Sequence, residues 1–208
     1  MIDLHDLLPI LLAGLVATGS PGPATLAIAG TSMSSGRRFG LALAAGVTTG
    51  SWTWSITAAL GLGAIMAANA WAFEAIRYGG ACYLLWLAWK SARSALRGKA
   101  TAPRQVGATT LRAAYLRGLL LHLTNPKAVL FFGALFAIGL PADATPGALA
   151  TVIVAIGLQS MLVFHGYAML FSRPGMMRRY ERLRRWFEAA FALAFGAAGL
   201  KILTTRLN

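Results

Sequence analysis

Three long runs without a single charged side chain constrain this chain more than anything else in it. They are Leu7–Gly36, Phe39–Phe73 and Ala144–Ser172, and each exceeds the roughly 20 apolar residues that span a bilayer. A fourth run, Leu116–Leu140, holds Arg117 at its start and Lys127 in its interior. Tyr78–Trp89 and Ala189–Leu200 are shorter and bracketed by charges. At 1.5 Å per residue they reach only about 18 Å, against a hydrocarbon core of roughly 30 Å. Their flanks must extend them, and Trp86 and Trp89 with Lys90 suit an interfacial, snorkelling end. The expectation is an all-α membrane protein with six transmembrane helices near 7–34, 40–68, 73–92, 115–140, 146–171 and 186–205. Five is the alternative count.

Composition agrees. Hydrophobic residues make up 57% and charged residues 12%, where a soluble domain carries about 25% charged. A soluble globule of this size exposes too much surface to be covered by so few charges. The single cysteine, Cys82, excludes an internal disulfide and any cysteine-cluster metal site. It reads as a small packing residue. Ala27-Ile28-Ala29 fits a signal-peptidase site, but Asp3 and Asp6 precede the apolar run with no Lys or Arg, the reverse of a signal n-region.

The net charge of +13 on its own suggests nucleic-acid binding; its distribution argues otherwise. Fifteen of the nineteen basic residues fall in three alternate loops: Arg37 and Arg38, then Lys90 to Arg117, then Arg173 to Arg185. Basic residues mark cytoplasmic loops, so both termini are expected outside. Asp3, Asp6, Glu74, Arg77, Asp143, Lys201 and Arg206 fall on the other side. The linker near 98–110 then divides a single multi-pass domain, 1–208, into repeats of about 1–97 and 111–208. A shift of 104 residues lays Gly14-Leu15 on Gly118-Leu119, Ala24 on Ala128, and Pro21-Gly22-Pro23 on Asn125-Pro126-Lys127. Three helices per half is an odd number, so the halves are expected to be inverted, as in transporters whose broken helices form the binding site.

Ser20-Pro21-Gly22-Pro23 removes two backbone donors and adds freedom at Gly22. Helices 1 and 4 are therefore expected to be broken, the first restarting near Pro21 or Pro23. A proline after a Ser, Thr or Asn cap suits such a restart, and Asn125-Pro126 has the same form. Each break frees N–H groups at a positive dipole end, a site for an anionic group. Counted from the helix ends, the breaks lie roughly 9 and 12 Å above the cytoplasmic face, level enough to line one site. The expected substrate-binding set is Ser20, Pro21, Gly22, Pro23, Asn125, Pro126 and Lys127. Intramembrane ionisable residues are functional by default, which singles out Lys127 for a substrate carboxylate. His122 and His165 are candidates for proton coupling. Glu74 and Glu188 read as interfacial charges, and Gly46, Gly50, Gly157, Gly166, Gly196 and Gly199 as close-packing positions.

Several of these segments together resemble one family. Ser20-Pro21-Gly22-Pro23, Gly36-Arg37-Arg38-Phe39-Gly40, Gly46-x-x-x-Gly50, the helix from Tyr83-Leu84 to Trp89-Lys90, and Asn125-Pro126-Lys127-Ala128 are similar to the lysine-exporter superfamily, and most to its homoserine and threonine exporter branch. The resemblance covers nearly the whole chain. It implies a bacterial inner-membrane exporter of an amino acid or a close derivative, without fixing the substrate.

Other classes fare worse on the residues alone. No carboxylate lies deep in a predicted helix, so a metal site or an acid–base pair has no candidates. There is no phosphate-binding G-x-x-x-x-G-K-[ST] loop, so no cofactor and no enzymatic activity are expected. A secondary transporter is favoured, with a channel or structural membrane protein as the alternative. The missing buried carboxylate also favours a neutral over a cationic amino acid. The expected partners are that substrate and the bilayer, with assembly into a homo-oligomer left open.

Overall fold

The computed structural model describes residues 4–68, 70–97, 110–139 and 144–204. Most of the linker (98–109) and the charges Asp3, Asp143 and Arg206 lie outside these residues, as do the side chains of Asp6, Glu74, Arg77 and Lys201. Among the described residues the protein is all-α, with eight helices: α1 (Leu4–Gly19), α2 (Pro23–Ser35), α3 (Arg37–Ala68), α4 (Ala70–Arg97), α5 (Leu111–Leu123), α6 (Pro126–Gly139), α7 (Pro146–Phe171) and α8 (Met176–Thr204).

Two pairs of these helices are single apolar runs bent at a break. α1 meets α2 at 52° and α5 meets α6 at 58°. Proline at the first position of α2 and α6 has no N–H to continue the preceding helix, and its ring excludes the preceding turn. Among the described residues α7 alone is by itself long and apolar enough to cross a bilayer, and each bent pair is so when counted as one span. α2 passes into α3 through Gly36 alone, whose φ of 90° lies where a side chain is disfavoured.

The boundaries differ from the sequence reading where charge was taken to end a helix. α4 runs from Ala70 to Arg97, and α8 starts at Met176, ten residues before the expected 186. The arginines from Arg178 to Arg185 therefore lie on a helix rather than in a loop. Charge opposes burial in lipid, not helix formation; Arg is a good helix former. Lys90 sits 5.0 Å over the Trp86 ring, Arg93 5.2 Å over Trp89 and Arg185 5.3 Å over Trp186. Such cation–π pairs suit an interfacial belt.

α3 is the central element, packed against α2, α5, α6 and α7, while α4 packs chiefly on α8. Two apolar clusters form the core. One gathers Ile10, Ala17, Phe131, Phe132, Phe136, Val152 and Ile156 with their neighbours. The other gathers Ala24, Ile28, Leu43, Val47 and Phe164 with theirs. Glycine sets the closest approach between helices. A Cβ on Gly118 would meet the backbone of Leu43, one on Gly46 the backbone of Tyr115, and one on Gly50 would lie 2.9 Å from His122 Cβ. Gly166 has nothing within 4 Å of such an atom, so it does not serve the close packing expected of it. Cys82 is exposed rather than packed. Both residues sit on helix faces turned away from the bundle, and a periodicity argument needs a known axis to see that.

Gly118→Val should destabilise the fold by about 1–3 kcal/mol, because the obstruction is backbone and cannot swing away. Thermal unfolding of the detergent-solubilised protein measures this, with Gly166→Val as the near-neutral control.

Candidate functional site

The α1/α2 break ends one helix and starts another within three residues. Gly22 is the N-cap of α2, with extended backbone (φ −164°, ψ 179°). The cap is therefore a glycine, not a Ser, Thr or Asn side chain. Its N–H donates to Thr25 Oγ1 at 2.9 Å. The first intrahelical bond of α2 runs from Leu26 N to Gly22 O at 2.9 Å, so the N–H groups of Ala24 and Thr25 precede the ladder. At the other break Asn125 Oδ1 accepts from Lys127 N at 3.1 Å, and Asn125 O accepts from Ala128 N at 2.9 Å. The asparagine thereby consumes donors at the start of α6, and the unspent donors lie on α2.

The carbonyls at the end of α1 are satisfied locally by Ser20 and from two other elements, α6 and α7. Ser20 Oγ donates to Ala17 O at 3.1 Å. The Tyr167 hydroxyl on α7 donates to Gly19 O at 2.7 Å. Lys127 Nζ donates to Ser20 Oγ and, at 3.4 Å, to Ser20 O. A lysine at the start of α6 opposes that helix's dipole. Its side chain removes the conflict by reaching across to the negative end of α1. The two breaks, 107 residues apart in the chain, thus meet through one side chain.

Among the described residues the Lys127 ammonium forms no ion pair; the pair found there is Arg184 with Glu188 at 3.8 Å. Glu188, expected as an interfacial charge, is instead buried (5% exposed), and it accepts from Ser94 Oγ at 3.0 Å. Its charge is matched locally by Arg184.

A cavity of about 40 Å³ lies at this junction, room for roughly three waters. Thr18, Ser20, Gly22, Thr25, Ser51, His122, Asn125 and Lys127 line it on the polar side and Phe131, Phe132 and Phe164 on the apolar side. Among the described residues no Asp or Glu lines it. Of the sequence-derived set, Ser20, Gly22, Asn125 and Lys127 are in the lining; Pro21, Pro23 and Pro126 shape the backbone beside it. His122 is buried, with Nε2 3.1 Å from Ser51 Oγ, and packs edge-on against Phe164. His165 lies elsewhere on α7 and its Nδ1 donates to Met161 O at 2.9 Å, so it does not join the site. Sequence reasoning missed Thr25, Ser51 and Tyr167. Thr25 carried a signal, standing three residues after the cap where a side chain can reach back to it. Ser51 and Tyr167 carried none, since their partners are 71 and 148 residues away.

No titratable cluster able to hold a metal occurs among the described residues. What remains is a helical membrane protein whose polar interior is built from two facing helix breaks. A family model described as LysE type translocator matches residues 15–206. The chain belongs to that family. It is similar to the threonine efflux protein of Escherichia coli (strain K12), 31% identical over 201 residues, covering 96% of this chain and 98% of that protein. It is 33% identical over 165 residues to the leucine efflux protein of Enterobacter sp. (strain 638), covering 79% and 77%. An uncharacterized membrane protein of Vibrio cholerae is 30% identical over 210 residues, covering 99% and 100%. No solved structure matches.

Asn125→Ala removes the cap of α6 and should cost about 1 kcal/mol. For a chain of this length that lowers the thermal midpoint by roughly 2–4 °C, readable by unfolding in detergent.

Proposed function

We propose that this protein is a secondary active exporter of amino acids, with a preference for neutral ones. The carrying observation is the Lys127 ammonium, held between the two helix breaks without a carboxylate partner. A substrate carboxylate fits there, taking Lys127 Nζ from one side and the N–H groups of Ala24 and Thr25 from the other, all positive in sign. Ser20, Pro21, Gly22, Pro23, Asn125 and Pro126 hold that geometry. His122, in the same lining, is the candidate for proton coupling. Family membership and the relatives named for threonine and leucine efflux support export of an amino acid. The cavity lining without a carboxylate supports a neutral one, because a second positive charge would meet no partner.

The topology that goes with this reading has six spans in two inverted three-helix repeats. The bent pairs α1–α2 and α5–α6 are the first span of each half. The linker near 98–110 is cytoplasmic, and both termini lie outside the bacterial inner membrane.

Efflux from loaded cells, normalised to membrane-inserted protein and run across the twenty amino acids, tests the proposal. Neutral amino acids should leave expressing cells faster than empty ones, and the flux should collapse with the ion gradient. Selective export of arginine or lysine overturns the neutral preference. Lys127→Ala should lower export roughly 10- to 100-fold, the value of one charge-assisted hydrogen bond or slightly more, with insertion unchanged. Lys127→Arg should keep part of the activity, since a planar fork replaces a compact ammonium. Export at the parental rate by Lys127→Ala removes the site assignment.

A further inference from the structure

Several hydroxyls of these helices, buried and exposed, return to their own backbone. Thr18, Ser34, Thr48, Thr49 and Thr53 each donate to the carbonyl four residues earlier, at 2.7 to 3.1 Å. Four buried hydroxyls have no hydrogen-bond partner: Thr31 and Ser32 on α2, and Ser55 on α3 and Ser160 on α7, the last two 0% exposed. Two more orphaned polar atoms lie beside Ser55 and Ser160 in the chain, Trp54 Nε1 and Gln159 Oε1. Unpartnered polar groups in a membrane interior are costly, and four of them on two packed helices, α3 and α7, need a reason.

Their positions supply one. Ser55 is one turn beyond Ser51 on the same face of α3, and Ser160 is one turn before Phe164 on α7; Ser51 and Phe164 both line the cavity. α1 closes the layer. Gln159 Nε2 donates to Leu11 O at 2.8 Å, and a Cβ on Gly14 would meet Gln159 Oε1 and lie 2.7 Å from Ile156 Cδ1. One turn further on, the same three helices carry Ile10, Ala59 and Ile156, all in the apolar cluster. The sequence of layers is cavity, then polar, then apolar, each about 5.4 Å from the last.

We infer that the seam between α1, α3 and α7, lined by Ser55, Gln159 and Ser160, is the outward leg of the substrate route, closed in this structure by Ile10, Ala59 and Ile156. Hydroxyls and an amide donate and accept without net charge. They suit a hydrated zwitterion in passage and offer no strong site to trap it. The direction of this leg rests on the proposed function and topology; the existence of a water-accessible seam does not.

The single native cysteine makes the test clean. In a Cys82→Ser background, Ser55→Cys and Ser160→Cys are treated in intact cells with the membrane-impermeant trimethylammonioethyl methanethiosulfonate. Leu162→Cys, at a side chain 71% exposed on the lipid-facing surface, is the control. Only an ionised thiol in contact with water reacts, so both seam positions should label at least about tenfold faster than the control. Modification there should also stop export. Labelling no faster than at Leu162→Cys overturns the seam, whether or not amino-acid export is observed. Labelling of the seam in a protein whose Lys127→Ala variant still exports overturns the Lys127 site and leaves the seam standing. Where one cysteine variant fails to insert, the other decides. Ser160→Leu, which fills the seam with an apolar group, gives an independent readout: inserted protein with parental export is incompatible with the route.

Discussion

The contact between the Lys127 ammonium and the end of α1 is the interaction on which the rest of the interior depends. A lysine within a membrane bundle is expensive wherever it lacks compensation. Here compensation comes from a helix terminus rather than a carboxylate: Ser20 O and Oγ receive the charge, and the negative end of the α1 dipole lies behind them. Such an end adds about 0.3–2 kcal/mol, the upper part of that range in partly buried surroundings. An intact α1–α2 helix would have no free carbonyls at this depth. The proline break therefore creates the acceptor that the lysine uses, and the second break puts the lysine within reach of it.

The same arrangement leaves the charge incompletely matched. Neutral oxygens solvate an ammonium without cancelling its charge. Apolar clusters flank the site, and the cavity between them, about 40 Å³, is far below the roughly 300 Å³ or more of a formed ligand pocket. Glycine at the helix crossings, where α3 and α5 touch backbone to backbone, keeps the bundle tight around it.

Glu188 illustrates how local reading of charge fails inside a bundle. Its place near the expected start of the last helix suggested an interfacial charge. In the structure α8 extends through that segment and packs on α4, so Glu188 and Arg184 are both buried and share Ser94. Whether a charge near a helix end faces water or a neighbouring helix depends on which helix arrives there, and that is decided by packing.

The helical membrane class, the two breaks and the residues at them are legible from local chemistry, because proline, glycine and charge act on the backbone and the solvent within a few residues. The restart of α2 at Pro23 and of α6 at Pro126 follows from a missing N–H and a fixed φ. Even the candidate lysine was legible, as a charge where lipid forbids one. The tertiary structure alone decided what that lysine touches, that His122 stands by the cavity while His165 does not, and that Ser51, Thr25 and Tyr167 complete the site. Such contacts join positions up to 148 residues apart. They are fixed by how closely glycine lets helices approach and by how they cross, which no short-range pattern encodes.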